Sequence, residues 1–358
     1  MVNAQLGMST TSKYNFPLPE QSLQFPQHLI ELSIRSLKPM QPLQLSFEDC
    51  QTSVLSLTKT PTFIAEATKL VKLKPDYTKI PLAAIDVSSI RLGETERGIL
   101  LALRGAIVWK QDSRYRYLRL GPFPFHITRK TQMEICSLLH HHQQPTYLHE
   151  SSVPNHLYLQ SRLTSLLERW IQTSINNATH QSLILWDGSL TAGTPETTIE
   201  AMTELLKEAR TRKNTILAFS KNTRLLFNGR RLSNLILEHQ PPCILQIHDR
   251  SMYEGALHLM GNIYVVRLTG GACAFRMDVD KELPHLQVVE SVQKLLGNDL
   301  ISQSYPETLR LAHIFSTFTA TEVLGIQRYL AKEKRIKILG RQNVRRMLFG
   351  PFGKGLEG

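Results

Sequence analysis

Leu183-Ile-Leu-Trp-Asp-Gly-Ser-Leu190 sets the fold: an apolar run that ends on an acid and then a turn. Leu183 to Trp186 has the length and make-up of a buried strand, and Asp187-Gly188 stops it. Just upstream, residues 157–173 carry Leu159, Leu163, Leu166, Leu167 and Trp170 at helical spacing, with Glu168 beside that stripe. Downstream, residues 197–212 form an amphipathic helix that feeds a strand over 215–219, ending at Ser220-Lys221. Strand, helix and strand in that order predict a βαβ unit with parallel strands.

Further out, residues 80–86 read as another strand that ends on an acid, Asp86. Residues 98–109 are apolar and β-compatible, and 115–120 alternate as a sheet strand does, so a hairpin or meander enters the sheet here. More strands are expected at 244–247, 263–268 and 272–279, and residues 299–331 read as mostly helix, interrupted at Tyr305-Pro306. His140-His141-His142 belongs to a Gln-rich, Pro-stopped solvated loop. The prediction is an α/β fold with a mixed sheet flanked by helices, residues 76–331, plus an N-terminal helical extension over 1–75 and a basic C-terminal tail over 332–358. In the extension, residues 27–37 place Leu29, Ile30, Leu32 or Ile34, and Leu37 on one side of a helix, a stripe that can pack on the core, a second subunit or a partner.

The chain has 358 residues with 42% hydrophobic content, enough for a sizeable core in one domain or two. No apolar run approaches the ~18–20 residues that cross a bilayer, and Met1-Val-Asn-Ala-Gln-Leu6 lacks the layout of a secretion signal. A soluble, cytoplasmic protein is expected. Cys50, Cys136, Cys243 and Cys273 form no CxxC pair, which excludes common zinc-ribbon spacings and predicts reduced, mostly buried thiols. A net charge of +12 suits a polyanionic partner. With no strongly amphipathic basic helix, nucleic acid is favoured over an anionic membrane surface, the other reading being a basic but functionally neutral surface.

Asp86, Glu168 and Asp187 are distant in sequence but can meet in space, two at strand ends and one on the helix before the second strand. Carboxylate oxygens suit a hard cation, Mg²⁺ or Mn²⁺, rather than zinc, and such a site can activate water for in-line displacement at a phosphodiester. Pro306, Leu309 and His313 share one helical face, which makes His313 a metal ligand, an acid/base group or a structural residue. In Phe275-Arg-Met-Asp-Val-Asp280, apolar residues alternate with Arg276, Asp278 and Asp280, which predicts a strand with a solvated polar face. Lys221, Gly229-Arg230-Arg231 and the arginines between Arg341 and Arg346 are candidate phosphate contacts without a base-reading signature.

The ordered set Asp86-Val-Ser-Ser89, Arg162 to Glu168, Asp187-Gly-Ser-Leu190, Ser220-Lys221 and Tyr305-Pro306 to Ala312-His313 resembles the NurA nuclease family over residues 80–320. One departure is Val87, where the family usually has glycine after its first acid. The resemblance implies an RNase H-like core and a DNA nuclease dependent on manganese, with magnesium the alternative, that has single-strand endonuclease and 5′–3′ exonuclease activity. It also implies a homodimer and a HerA-type hexameric ATPase as partner in recombinational repair. By position, the metal ligands would be Asp86, Glu168, Asp187 and His313, with Tyr305 a further catalytic-site residue and Glu150 an upstream alternative to Glu168. Gly350-Pro-Phe-Gly-Lys-Gly355 lacks the spacing and hydroxyl of a P-loop, so ATP-driven motion would come from the partner. The competing reading is a non-catalytic DNA-binding adaptor of the same fold.

Overall fold

A computed structural model describes residues 24–38, 62–63, 65–67, 70–135 except 112–113 and 133, and 156–339 except 195, 222, 224, 228–229 and 250–257. Cys50, Cys136, His140 to His142, Glu150, Gly229 and the arginines from Arg341 to Arg346 lie outside the described residues.

Three long strands open the main sheet: β1 (Leu82–Thr95), β2 (Gly98–Gln111) and β3 (Arg114–Thr128). They form an antiparallel meander whose first turn is the tight Glu96-Arg97 loop, with Thr95 opposite Gly98. Gly98 is required there: a Cβ would overlap the Ile127 carbonyl on β3. The central strand β2 is buried continuously from Ile99 to Val108, as a strand covered on both faces must be.

Helix α1 (Gln24–Ser36) lies against β3, and helix α2 (His156–Ala178) carries the chain across to β4 (Leu183–Asp187). Helix α3 (Ile199–Thr211), N-capped by Thr198, leads on to β5 (Thr215–Ser220). β4 runs parallel to β1 and β5 parallel to β4, giving the strand order 3-2-1-4-5 with only β2 reversed. That order with those directions is an RNase H-like core. Beyond β5 the sheet continues antiparallel through β8 (Phe275–Asp280), β7 (Gly261–Arg267) and β6 (Cys243–Asp249).

Helices cover both faces. Leu163, Leu167 and Ile171 of α2 pack with Met202 and Leu206 of α3 over Ile85, Ile184 and Ile216. On the other face, Val288, Val292 and Leu295 of α4 (His285–Asn298) and Leu309 and Ala312 of α5 (Glu307–Ser316) cover Leu82, Leu185 and Leu217. The last helix, α6 (Ala320–Glu333), opens with a reciprocal capping box between Thr319 and Glu322.

Several boundaries differ from the sequence reading. β1 does not stop at Asp86 but runs nine residues further, because β2 continues to pair with it; only its parallel pairing with β4 stops, at Ile85 opposite Trp186. β3 extends past Leu120 through Gly121, whose φ of 96° absorbs a register irregularity. Helix α4 was not anticipated, and residues 301–306 form a small hairpin rather than helix. Within the N-terminal extension, Ala65–Ala67 and Val71–Lys72 pair with β6 and so belong to the sheet. The apolar stripe of α1 finds cover inside the chain: Leu29, Leu32 and Leu37 are buried, and Ser33 donates to the Pro124 carbonyl of β3. Among the described residues no helix is long and apolar enough to cross a membrane. Cys243 is buried, whereas Cys273 is exposed.

Candidate metal centre

Strand alternation turns Leu82, Ala84, Asp86 and Ser88 toward the face that α4 and α5 cover. Asp86 therefore points at α5 at the level where β4 ends, and there β4 delivers Asp187 to the same face. His313 of α5 closes the group. Its Nδ1 lies 3.2 Å from Asp86 Oδ2 and 3.9 Å from Asp187 Oδ2, and one ligand atom from each of the three residues falls within 4.8 Å of the others. The two acids are mostly buried, while the imidazole is half exposed at the mouth.

The turn after Asp187 is held on every side. The Gly188 amide donates to the Phe219 carbonyl at 2.7 Å, Ser220 Oγ donates to the Gly188 carbonyl at 2.8 Å, and Gly188 adopts a φ of 131° that a side chain would oppose. Lys221, just past β5, places its Nζ 2.5 Å from Asp187 Oδ2. Asp86 is fixed from α5, where Ser316 Oγ donates to Asp86 Oδ2 and the Ser316 carbonyl accepts from Ser88 Oγ at 2.5 Å. Burial pushes the Asp86 carboxyl above its ordinary value; the Ser316 hydroxyl opposes this, and the Asp187 charge adds to it.

Glu168 reaches toward the same place from α2, on the opposite face of the sheet. It is not in the close trio, but its carboxyl feels the charges of Asp86 and Asp187. Burial first, and then the repulsion of those two acids against the pull of Arg169, leaves its carboxyl pushed up to about 7. Gln172 Nε2 donates to its Oε1 at 3.1 Å. Tyr305 packs behind Lys221, whose Nζ lies 5.4 Å from the ring centroid, and between Phe219 and Phe275. The Tyr305 hydroxyl is buried with no hydrogen-bond partner among the described residues. Burial, then Asp187 and Asp86, raise it far above the ordinary phenol range.

The structure thus brings together Asp86, Asp187 and His313, with Glu168, Lys221 and Tyr305 around them. Arg230 and Arg231 are exposed on a short strand of a separate three-stranded sheet. The expectation of a solvated face on β8 is overturned. Arg276, Asp278 and Asp280 are all buried, because α3 and the 188–192 segment cover that side of the strand. Asp278 receives a two-pronged bond from Arg276 (2.6 and 2.7 Å) and the Leu190 amide at 3.1 Å, and Asp280 is paired with Arg210. The Arg276–Asp278 pair therefore braces the turn that carries Asp187. The sequence reading missed Ser88, Ser316 and this brace. Period-two spacing from Asp86 and helical spacing from His313 were the available signals for the two serines.

Two carboxylates and an imidazole with one open side form a donor set that fits a divalent Mg²⁺ or Mn²⁺. The repulsion between Asp86 and Asp187 is what such an ion would relieve.

No family model matches the chain. No curated protein matches it significantly either. Among solved structures, endonuclease V from Bacillus subtilis aligns with 12% identity over 89% of this chain and 97% of its own, at a TM-score of 0.34. An Argonaute from Kluyveromyces polysporus with a guide RNA aligns over 68% of this chain and 27% of its own, with 10% identity and a TM-score of 0.25. The A. aeolicus Argonaute aligns over 68% and 29%, with 11% identity and a TM-score of 0.22. Likenesses at these scores carry no weight beside the strand order and the acid cluster.

Proposed function

We propose that this chain is a metal-dependent nuclease of the NurA type that hydrolyses phosphodiester bonds in DNA. The convergence of Asp86, Asp187 and His313 from β1, β4 and α5, with Glu168 arriving from the opposite face, supports this reading. Asp86, Asp187 and His313 would hold the ion, with Glu168 joining them, and a bound Mn²⁺ or Mg²⁺ would supply Lewis-acid activation of water and of the phosphoryl oxygens. The chain's own groups prepare that site. Ser316 and Ser88 fix the Asp86 carboxylate, the Arg276–Asp278 brace fixes the Asp187 turn, and the half-exposed His313 ring sits where it can ligate or move a proton at Nδ1. Lys221, held on Asp187 and over the Tyr305 ring, is placed to meet a phosphate that approaches the acids. The +12 charge of the chain supplies attraction for a polyanion. In full, the reading is of a manganese-dependent enzyme with single-strand endonuclease and 5′–3′ exonuclease activity, a homodimer that processes DNA ends with a HerA-type ATPase.

The test is cleavage of single-stranded and duplex-ended DNA in Mn²⁺, Mg²⁺ or EDTA, with wild-type protein and Asp187→Asn side by side. Metal-dependent cutting that disappears in the variant is expected. DNA binding with no cutting in any metal would leave the adaptor reading in its place.

A further inference from the structure

At the far end of β1 from the acids, the β1–β2 turn, the end of α1 and the segment after α6 line an open cavity of about 250 Å³. Lys38, Arg97, Lys334, Arg335 and Lys337 line it, together with His126. Its single carboxylate, Glu96, is met by Lys337 Nζ at 3.3 Å. Five cations around one cavity repel one another. Asp86 and Asp187 cannot offset this charge. Nine residues of strand separate Asp86 from Thr95 at the cavity wall, about 30 Å at ~3.3 Å per residue, several Debye lengths at physiological salt.

The geometry points to a second anchoring site for the phosphodiester backbone of the nucleic acid whose other part lies at the Asp86–Asp187–His313 cluster. The chemistry recognised is a phosphate group, and two features favour a strand of nucleic acid over a free phosphate. Asp86, Ser88, Ile90 and Leu92 turn to one face of β1, and Leu92 packs with Leu330 of α6, so the helix that ends at the cavity lies on the same face as the acids. The separation of about 30 Å matches roughly nine steps of a duplex at 3.4 Å each. His126, depressed by burial and by the Arg97 charge and linked to Thr95 Oγ1 at 2.9 Å, supplies an uncharged partner at neutral pH. This site rests on the nucleic-acid reading of the cluster but not on cleavage.

The experiment measures binding by fluorescence anisotropy in EDTA, using DNA hairpins with stems of 6 and 20 base pairs, for wild type, Lys334→Glu/Arg335→Glu and the control Lys332→Glu. Lys332 is exposed on α6 and outside the cavity. The expected result is a tenfold or greater loss for the double variant on the 20-base-pair stem, less than twofold on the 6-base-pair stem, and a shallower salt dependence on the long stem alone. The control should stay near wild type. Equal losses on both stems, or none on either, overturn the second anchor. So does a double variant that loses inorganic polyphosphate while keeping the long stem, which would identify a free-phosphate site. Should the glutamates lower the melting temperature, Lys334→Ala/Arg335→Ala answers the same question. Failure of cleavage in the Asp187→Asn comparison would leave these binding measurements interpretable.

Discussion

Two groups of aspartates lie on one sheet, a few strands apart, and are treated in opposite ways. On β8, Asp278 and Asp280 are almost wholly buried, and each has its own arginine, Arg276 and Arg210. On β1 and β4, Asp86 and Asp187 are nearly as buried but share one lysine, one serine hydroxyl and a half-exposed histidine, with Glu168 adding further negative charge. Burying a charge is tolerated when it is paired and hydrogen-bonded. The β8 acids meet that condition within the chain and are structural. The β1/β4 acids do not, and what they lack is positive charge. A closed network and an open one, built from the same residue type, mark where the molecule expects something from outside.

The most severe way to break this contrast is to neutralise an open acid. Asp187→Asn, and likewise Asp86→Asn, should lower Mn²⁺-dependent cleavage by two orders of magnitude or more. Folding and DNA binding should persist or improve as repulsion falls. Near-normal cleavage by folded Asp187→Asn protein would falsify the assignment of that acid. The closed pair should behave in reverse. Asp278→Ala leaves Arg276 buried without its partner and should destabilise the fold by about 3–5 kcal/mol, whereas Arg276→Met/Asp278→Leu should recover most of that loss. Urea denaturation of both variants checks this, and equal stabilities would mean that the pair is dispensable.

A finer probe lies between the two networks. Ser316→Ala removes the hydroxyl that holds Asp86 and should weaken Mn²⁺ binding by about 10–100-fold, the usual scale for an outer-shell partner. Isothermal titration reads it directly, and an unchanged affinity would show that Asp86 orients itself. The smallest effect is in the pH dependence of the metal-free protein. The folded-state carboxyl of Glu168 lies near 7, above its ordinary 4.5, so the folded form holds a proton that the unfolded chain releases. That contribution is fully present below pH 4.5 and is lost as pH rises through 7. Urea midpoints in EDTA between pH 5 and 8 should therefore fall for wild type and flatten for Glu168→Gln. Parallel curves for the two proteins would assign the slope to other groups.

Much of this was legible in the residues. The strand at Leu183, the helices on either side of it and the meander before it follow from local patterning, and Asp86 with Asp187 could be singled out because an acid after an apolar run is conspicuous. The Arg276–Asp278 brace was not legible for a specific reason. Alternation on β8 tells which residues share a face but not what covers that face, and the cover over Asp278 and Asp280 comes from Leu190 and from Arg210 of α3, elsewhere in the chain. Asp86 looked like a strand end because the strand's continuation, Val87-Ser-Ser-Ile90, is more polar than the run before it. Its pairing with β2 keeps it extended. Helix α4 went unseen because its stripe, Val288, Val292 and Leu295, is short and sits among polar residues.

The meander also sets an order of events during folding. β1, β2 and β3 pair with immediate neighbours along the chain, whereas Asp86 and His313 are 227 positions apart and Asp86 and Ser316 are 230 apart. Contacts of high sequence separation incur loop-closure entropy before they reward it, which predicts that the Asp86–His313 contact forms after the meander. A divalent ion would find its ligands assembled only in the finished protein, and by mass action would stabilise that state over the partly folded states that precede it. The cluster would then act as a latch as well as a reaction centre, closing α5 onto β1.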